Sequence, residues 1–490
     1  MKGTTLGGLA LAAALTLPHA GCSSGAPGPS AAVSLTPCTV PGLRSPARCG
    51  AVRVFEDRAK GAGRTLDLSV VVVPALAASP KPDPIFFLAG GPGQAASSII
   101  PISVGFADRL RESRDLVFVD QRGTGLSGAL FCEVPPDDAP LHERFDSTFD
   151  LAAIERCRDD QHADLRLYGT AAATGDLDDV RKALGYETIN LWGTSYGTRV
   201  ALAYLRAHGS HARSAVLDSV APMSLYLPLS TAKDASAALE RLFADCAQDP
   251  ACKAAFPALR ERALAFIDHL DSKPLYATVR HPVTGAREEL LLTRDAFLSG
   301  VRGVLYSPEL SQLLPLAIDS AVRGDLGPFV ALSLELESSL SRSFATGMFL
   351  SVVCTEDVPF FTPRDVESAA RDTLFGPASA MEILRACAVW PRGEVPAGFR
   401  DPVESSVPVL LLSGALDPVT PPAWAEEAKK GLHRSASVVL TGAAHTAATT
   451  ACARRIAGSF IEAGSPDGLD TACAGSVPRP AFFTSFAGPP

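Results

Sequence analysis

Gly193-Thr-Ser195-Tyr-Gly197 is the segment whose residue types and spacing point most directly to chemistry. A serine hydroxyl is a weak nucleophile unless the backbone projects it outward and a base removes its proton. Two flanking glycines permit a sharp strand-to-helix turn. The apolar run Thr188-Ile-Asn-Leu-Trp192 before the turn and Thr198-Arg-Val-Ala-Leu-Ala-Tyr-Leu205 after it supply the strand and the helix. Such a turn aims the helix amino terminus and the N–H of Tyr196 at a developing oxyanion. His445 is the base expected from position, because it follows an apolar run in Leu440-Thr-Gly-Ala-Ala-His445, where a loop at the carboxyl edge of a sheet presents it. His208 and His211 read as surface loop residues. His142, His162, His269, His281 and His433 lie in polar or helical context with no strand end beside them. Asp417, directly after Leu410-Leu-Leu-Ser-Gly-Ala-Leu, is the acid expected to orient the imidazole. A second oxyanion donor is expected from the N–H of Gly91 or Gly90, in Ala89-Gly-Gly-Pro-Gly93 after the run Pro84–Leu88.

These residues need a rigid frame. Leu68–Val73, Pro84–Leu88, Leu116–Val119, Thr188–Trp192, Ser214–Asp218, Val407–Leu412 and Ser437–Leu440 are short, continuous apolar runs that suit strands buried on both faces of a mostly parallel sheet. Helical segments such as Gly175–Leu184 lie between them, so the fold class is α/β. From about Ala221 to Ser405 the strand rhythm stops, and segments such as Ala235–Leu242, Ala258–Leu270 and Glu309–Arg323 read as helices. This predicts a helical lid at 221–405 inserted between core parts at 38–220 and 406–474, with a surface tail at 475–490.

The composition narrows the function classes. A net charge of -9 with no basic run argues against nucleic acid as a partner. The one long apolar stretch, Leu6–Leu17 after Lys2, has the shape of an export signal, expected to occupy 1–22 and to be followed by a flexible tether at 23–37. His19-Ala-Gly-Cys22 resembles the lipobox of bacterial lipoproteins, with His19 in place of the usual aliphatic residue. Two fates follow: a cell-envelope protein anchored to the membrane through lipidated Cys22, or a secreted one. Ten further cysteines, an even number, suggest up to five disulfides in an exported chain, with connectivity left open. No Cys-x-x-Cys pair or His cluster at metal spacing occurs, so neither metal nor organic cofactor is expected.

Ala89-Gly-Gly-Pro-Gly93, Asp120-Gln-Arg-Gly-Thr-Gly-Leu-Ser127, Gly193-Thr-Ser-Tyr-Gly197, Asp417-Pro-Val-Thr-Pro421 and His445 together resemble the prolyl and tripeptidyl aminopeptidases. These are serine exopeptidases of the α/β-hydrolase fold, and the chain is most similar to their exported tripeptidyl branch. The order Ser195, Asp417, His445 is the order that fold requires. The chain departs from the prolyl enzymes at Ala89, where they carry His, and at Tyr196, where they carry Trp. The resemblance implies short peptides with a free amino terminus as substrates. It also implies lid acids for the substrate amine, with Glu356 and Asp357 in Cys354-Thr-Glu-Asp357 as candidates and a disulfide to Cys387 as a pin. Asp120 and Arg122 are expected to brace the surrounding loops. The rival expectations are an esterase, amidase or lactonase with the same triad, and a non-catalytic protein that keeps the fold.

Overall fold

The computed structural model describes Met1 and residues 33–145, 150–341 and 344–488. The expected export signal, Cys22 and most of the tether lie outside the described residues. Among the described residues there are eleven strands: β1 (Thr36–Cys38), β2 (Ala47–Phe55), β3 (Thr65–Val73), β4 (Ile85–Leu88), β5 (Leu116–Val119), β6 (Ile189–Thr194), β7 (Ala212–Asp218), β8 (Leu275–Arg280), β9 (Arg287–Leu292), β10 (Val409–Gly414) and β11 (Ser435–Leu440). Nine of them form one sheet in the order β1-β2-β3-β5-β4-β6-β7-β10-β11. The first three are antiparallel, and pairing is parallel from β5 through β11.

Six of the seven continuous apolar runs are the parallel strands, while the seventh, Leu68–Val73, lies in β3, which is antiparallel to both neighbours. Every residue of β4, β5 and β10 is buried, because helices cover both faces. Alternation divides the side chains between two cores. Phe86, Leu88, Val117 and Leu191 face one layer with the helices Thr170–Ala183 and Tyr196–His208. Phe87, Phe118, Trp192 and Val216 face the other with the helix Ala451–Ala463. There Phe87 stacks between Phe118 at 5.0 Å and Trp192 at 5.6 Å. The registers Leu88↔Gly193, Thr194↔Asp218 and Leu412↔Asp218 bring the carboxyl ends of four neighbouring strands level. In sheets of this kind ligands bind at that edge, where the strand order reverses.

Between β7 and β10 the chain is mainly helical, with one feature the sequence did not suggest: the antiparallel hairpin of β8 and β9. The helices Leu227–Gln248, Leu259–Ser272, Arg294–Leu305, Leu314–Val322 and Gly327–Ser341 share a separate core that includes Leu239, Phe243, Ile267, Phe297 and Phe329. The later part behaves differently. Val352, Val353, Cys354, Trp390 and Phe399 join the core on the sheet. The segment expected as a surface tail is also docked: Phe482 is buried in the lid core, and Arg479 pairs with Asp245 at 2.9 Å. The Phe483 N–H also donates to the Gln312 carbonyl at 3.1 Å, and the Thr441 hydroxyl to the Val477 carbonyl at 2.7 Å, so several contacts hold this Pro- and Gly-containing stretch.

The ten cysteines pair with their sequence neighbours: Cys38–Cys49, Cys132–Cys157, Cys246–Cys252, Cys354–Cys387 and Cys452–Cys473. Among the described residues no helix is long and apolar enough to cross a membrane. The Cys354–Cys387 bridge spans 33 residues and ties the helix Thr346–Glu356 to Ala378–Val389. Its chain-entropy contribution is about 4 kcal/mol. Replacing both cysteines by serine is expected to lower the thermal denaturation midpoint by several degrees under non-reducing conditions. An unchanged midpoint would contradict that role for the bridge.

Candidate active site

Ser195 sits between β6 and the helix Tyr196–His208 with φ 57° and ψ -125°, a left-handed conformation rarely adopted outside glycine. Its neighbours enforce that geometry. The Ser195 N–H donates to the Asp218 carbonyl at 2.9 Å, and its carbonyl accepts from the Thr198 N–H at 2.9 Å and the Thr198 hydroxyl at 2.6 Å. Two glycines are required by close approach. A Cβ on Gly193 would lie 2.4 Å from the Gly197 carbonyl oxygen, and one on Gly197 would lie 2.1 Å from that of Leu88. The side chain of Ser195 therefore stands at the carboxyl edge of the sheet, over the start of a helix.

The glycine loop after β4 lies beside it, since a Cβ on Gly90 would approach the Ser195 Cβ to 3.1 Å. A lid segment braces this loop. The Ala345 N–H donates to the Gly93 carbonyl at 2.9 Å, and Gln94 pairs with Phe344 in an antiparallel bridge. Gly93 has φ 112°, and a Cβ there would meet the Ala345 oxygen at 2.6 Å.

His445 and Asp417 come together across 28 residues, with His445 Nδ1 at 3.0 and 2.9 Å from the two carboxylate oxygens. The carboxylate also accepts from the N–H groups of Val419 at 2.8 Å and Thr420 at 2.9 Å, and from the Thr420 hydroxyl at 2.9 Å. An ionised carboxylate only accepts, so Nδ1 carries the proton and Nε2 presents its lone pair. Burial works to lower the His445 pKa, but the charge and hydrogen bond of Asp417, with Asp218 behind, outweigh it and hold the ring above its ordinary value. Burial likewise opposes ionisation of Asp417, yet His445 and the backbone donors keep its carboxyl below the usual range. Tyr306 packs edge-on against the imidazole at 5.1 Å.

The sequence reading did not single out Asp218 or Ser219. The Asp218 carboxylate accepts from the N–H groups of Ala447 at 2.8 Å and Ala448 at 3.1 Å, while the Ser219 hydroxyl accepts from Thr446 N–H at 2.8 Å. Burial pushes Asp218 up to about 6 despite those donors. One residue thus holds the serine turn with its carbonyl and the histidine loop with its side chain. Its place at the end of an apolar strand beside the serine strand was the available signal. His208 and His211 gather around Asp178, at the far end of the serine helix. Buried His281 is bonded to its own loop and to the Ala139 carbonyl.

Asp120 and Arg122 are both loop braces. Asp120 accepts from Ser97 N–H at 2.8 Å and Leu126 N–H at 3.1 Å, and Arg122 forks onto Asp176 with two 2.7 Å bonds. The two acids expected at the substrate amine are instead committed to protein partners. Asp357 is fully buried between Arg199 and Arg400, both at 3.1 Å. Glu356 accepts from the Thr170 N–H at 2.6 Å and the Thr170 hydroxyl at 2.7 Å. Burial pushes Glu356 up to about 7, against Arg199 and the Thr170 donors. Adjacent positions at a helix end placed these acids under the serine helix, which no local pattern announces.

Two family profiles match the chain, one described as the alpha/beta hydrolase fold over residues 83–255 and one as TAP-like protein over residues 372–473. The chain is 27% identical to serine protease Hip1 of Mycobacterium tuberculosis over 422 residues, covering 79% of this chain and 80% of that protein. It is 29% identical to the tripeptidyl aminopeptidase of Streptomyces coelicolor over 194 residues, 36% of each chain. A solved proline iminopeptidase of Mycobacterium smegmatis aligns at 17% identity with a TM-score of 0.42, covering 84% of this chain and 98% of that one. The matched profiles and relatives, on a sheet that carries its serine, aspartate and histidine in this order, make the chain a serine hydrolase of the α/β-hydrolase fold, similar to serine peptidases.

Proposed function

We propose that the protein is an exported serine exopeptidase that cuts short peptides near a free amino terminus. The observation that carries the reading is the bidentate approach of Asp417 to His445 Nδ1, which leaves Nε2 as the base at the serine edge of the sheet. In this reading Ser195 attacks the scissile carbonyl while His445 takes its proton and Asp417 stabilises the imidazolium. The N–H of Tyr196 and that of Gly91 or Gly90 receive the oxyanion. His445 then protonates the leaving amine, and water hydrolyses the acyl-enzyme by the same route. No metal or organic cofactor takes part.

The lid supplies support for an amine-bearing substrate. A cavity of about 160 Å³ between the helices Leu227–Gln248 and Arg294–Leu305 is lined by Leu298, Phe375, Arg302 and the carboxylates of Asp295 and Glu382. Arg302 in the cavity wall lies over Tyr306 at 5.9 Å, and Tyr306 packs edge-on against His445, so one wall residue stands two contacts from the histidine. Carboxylates in a lid suit a protonated amine better than an acyl chain. Five disulfides support a compartment outside the reducing cytoplasm. The names of the relatives, a serine protease and a tripeptidyl aminopeptidase, point the same way.

Chromogenic di- and tripeptides with free or acetylated amino termini, together with a short acyl ester, test this reading. Free-amine peptides are expected to turn over and acetylated ones to be poor substrates. Ser195→Ala is expected to lower kcat by roughly 10⁴-fold or more with little change in thermal stability. Turnover of the ester alone would leave the triad and overturn the peptidase. The acid limb of kcat/KM reports the free imidazole. Because His445 must be neutral to act and is held above its ordinary 6.5, activity is expected to fall as the pH drops through a midpoint above 6.5. A midpoint below 6.5 would contradict the buried His445–Asp417 pair.

A further inference from the structure

Thr170 opens the helix Thr170–Ala183, and its cap residue Gly169 offers no side-chain acceptor. The amino-terminal N–H groups of a helix need partners from elsewhere. Here the partner comes from the lid. Glu356 is the last residue of the helix Thr346–Glu356, and its Oε1 accepts from the Thr170 N–H at 2.6 Å while its Oε2 accepts from the Thr170 hydroxyl at 2.7 Å. The Thr170 Oγ1 is in turn 2.7 Å from the phenolic oxygen of Tyr196. Thr170, Tyr196 and Glu356 are all at most 1% exposed. Even the backbone is fitted to the carboxylate, since a Cβ on Gly169 would come within 3.1 Å of Glu356 Oε1.

The chemistry gives this chain of bonds a direction. An ionised Glu356 can only accept, so the Thr170 hydroxyl donates to it and keeps its lone pairs for the phenol. Tyr196 then donates, and its side chain is held at the far end by a bond with one polarity. Tyr196 is the residue after Ser195, and its backbone N–H is the oxyanion donor in the function proposed above. The opposite end of the same lid helix holds the other half of the hole, because Ala345, at its cap, donates to Gly93 of the glycine loop at 2.9 Å.

We propose that the lid helix Thr346–Glu356 is the element that positions the oxyanion hole, with Glu356 as a positioning residue acting on the Tyr196 amide through Thr170. Glu356 touches no substrate in this role. The inference rests on Ser195 being the nucleophile, and not on the substrate being a peptide. Glutamine at position 356 would turn its carbonyl to the Thr170 N–H and its NH₂ to Thr170 Oγ1, leaving one of the Thr170 and Tyr196 hydroxyl hydrogens without an acceptor and the bond between them without a fixed polarity. A hydroxyl removed at either 170 or 196 cuts the chain outright.

The test uses the full mature protein with Tyr196→Phe, Thr170→Val, Thr170→Ser and Glu356→Gln. Activity is measured above pH 8, where Glu356 is ionised, on a free-amine tripeptide anilide, its acetylated form and a short acyl ester. Misplacing one oxyanion donor should lower kcat by about 10- to 100-fold. That loss is expected in Tyr196→Phe, Thr170→Val and Glu356→Gln, with KM within about twofold, and it should be equal on every substrate that the native protein turns over. Thr170→Ser, which restores the hydroxyl, should recover most of kcat. Should Thr170→Val fail to fold, Tyr196→Phe carries the test, because its ring still fills the same space. A KM increase confined to free-amine peptides in Glu356→Gln would overturn the proposal and return Glu356 to the substrate amine. Unchanged kcat in Tyr196→Phe would overturn it as well. If the native protein cleaves only the ester, the peptidase reading fails, and the ester kcat values still decide the positioning role.

Discussion

The backbone of Gly197 packs so tightly against the carbonyl of Leu88 that no side chain fits between them. This contact presses the first turn of the serine helix onto the end of β4. It allows the left-handed Ser195, brings Gly90 within van der Waals reach of the serine, and makes the two neighbouring strand ends share one edge. A strained conformation persists only when its surroundings over-determine it. Here the over-determination comes from the Asp218 carbonyl and the Thr198 N–H and hydroxyl, while two glycines permit the close approach that a side chain would block. The histidine loop is built against the same point, because Asp218 also holds its backbone.

Buried charge then joins the lid to that frame. Arg199, one turn into the serine helix, pairs with Asp357, which also pairs with Arg400 near the return of the chain to the sheet. Arg199 further donates to the Leu225 carbonyl at the entry to the lid. One aspartate therefore gathers the serine helix, the beginning of the insertion and its end. Taking three charges out of water is costly unless every partner is in place. We read such a cluster as a device that admits one arrangement of lid and core, with the Cys354–Cys387 bridge holding the adjoining helix.

Much of this arrangement is legible locally. Continuous apolar runs mark strands covered on both faces, and the parallel strands β4, β5, β6, β7, β10 and β11 fall on the runs read that way. A glycine-serine-glycine turn between such a run and a helix, or an aspartate or histidine just past one, is a pattern over a few residues. Other elements left no comparable trace. The hairpin β8–β9 has one largely exposed face and lies in a lid whose helices dominate its periodicity. The docking of Phe482 depends on a cavity assembled by distant helices.

Glu356 and Asp357 show where local reading stops. The types and spacing of residues by themselves determined the α/β sheet, the serine turn, and the aspartate and histidine at successive strand ends, because each depends on the periodicity or turn chemistry of adjacent residues. Only the tertiary structure decided what those two acids face: Thr170 and Arg199 for one, Arg199 and Arg400 for the other. It also decided that Asp218 serves two loops at once and that neighbouring cysteines are the ones that pair. The physical reason is that a buried charge is governed by its partners. Those partners come from segments far apart in sequence that meet only when the sheet and the lid have both formed.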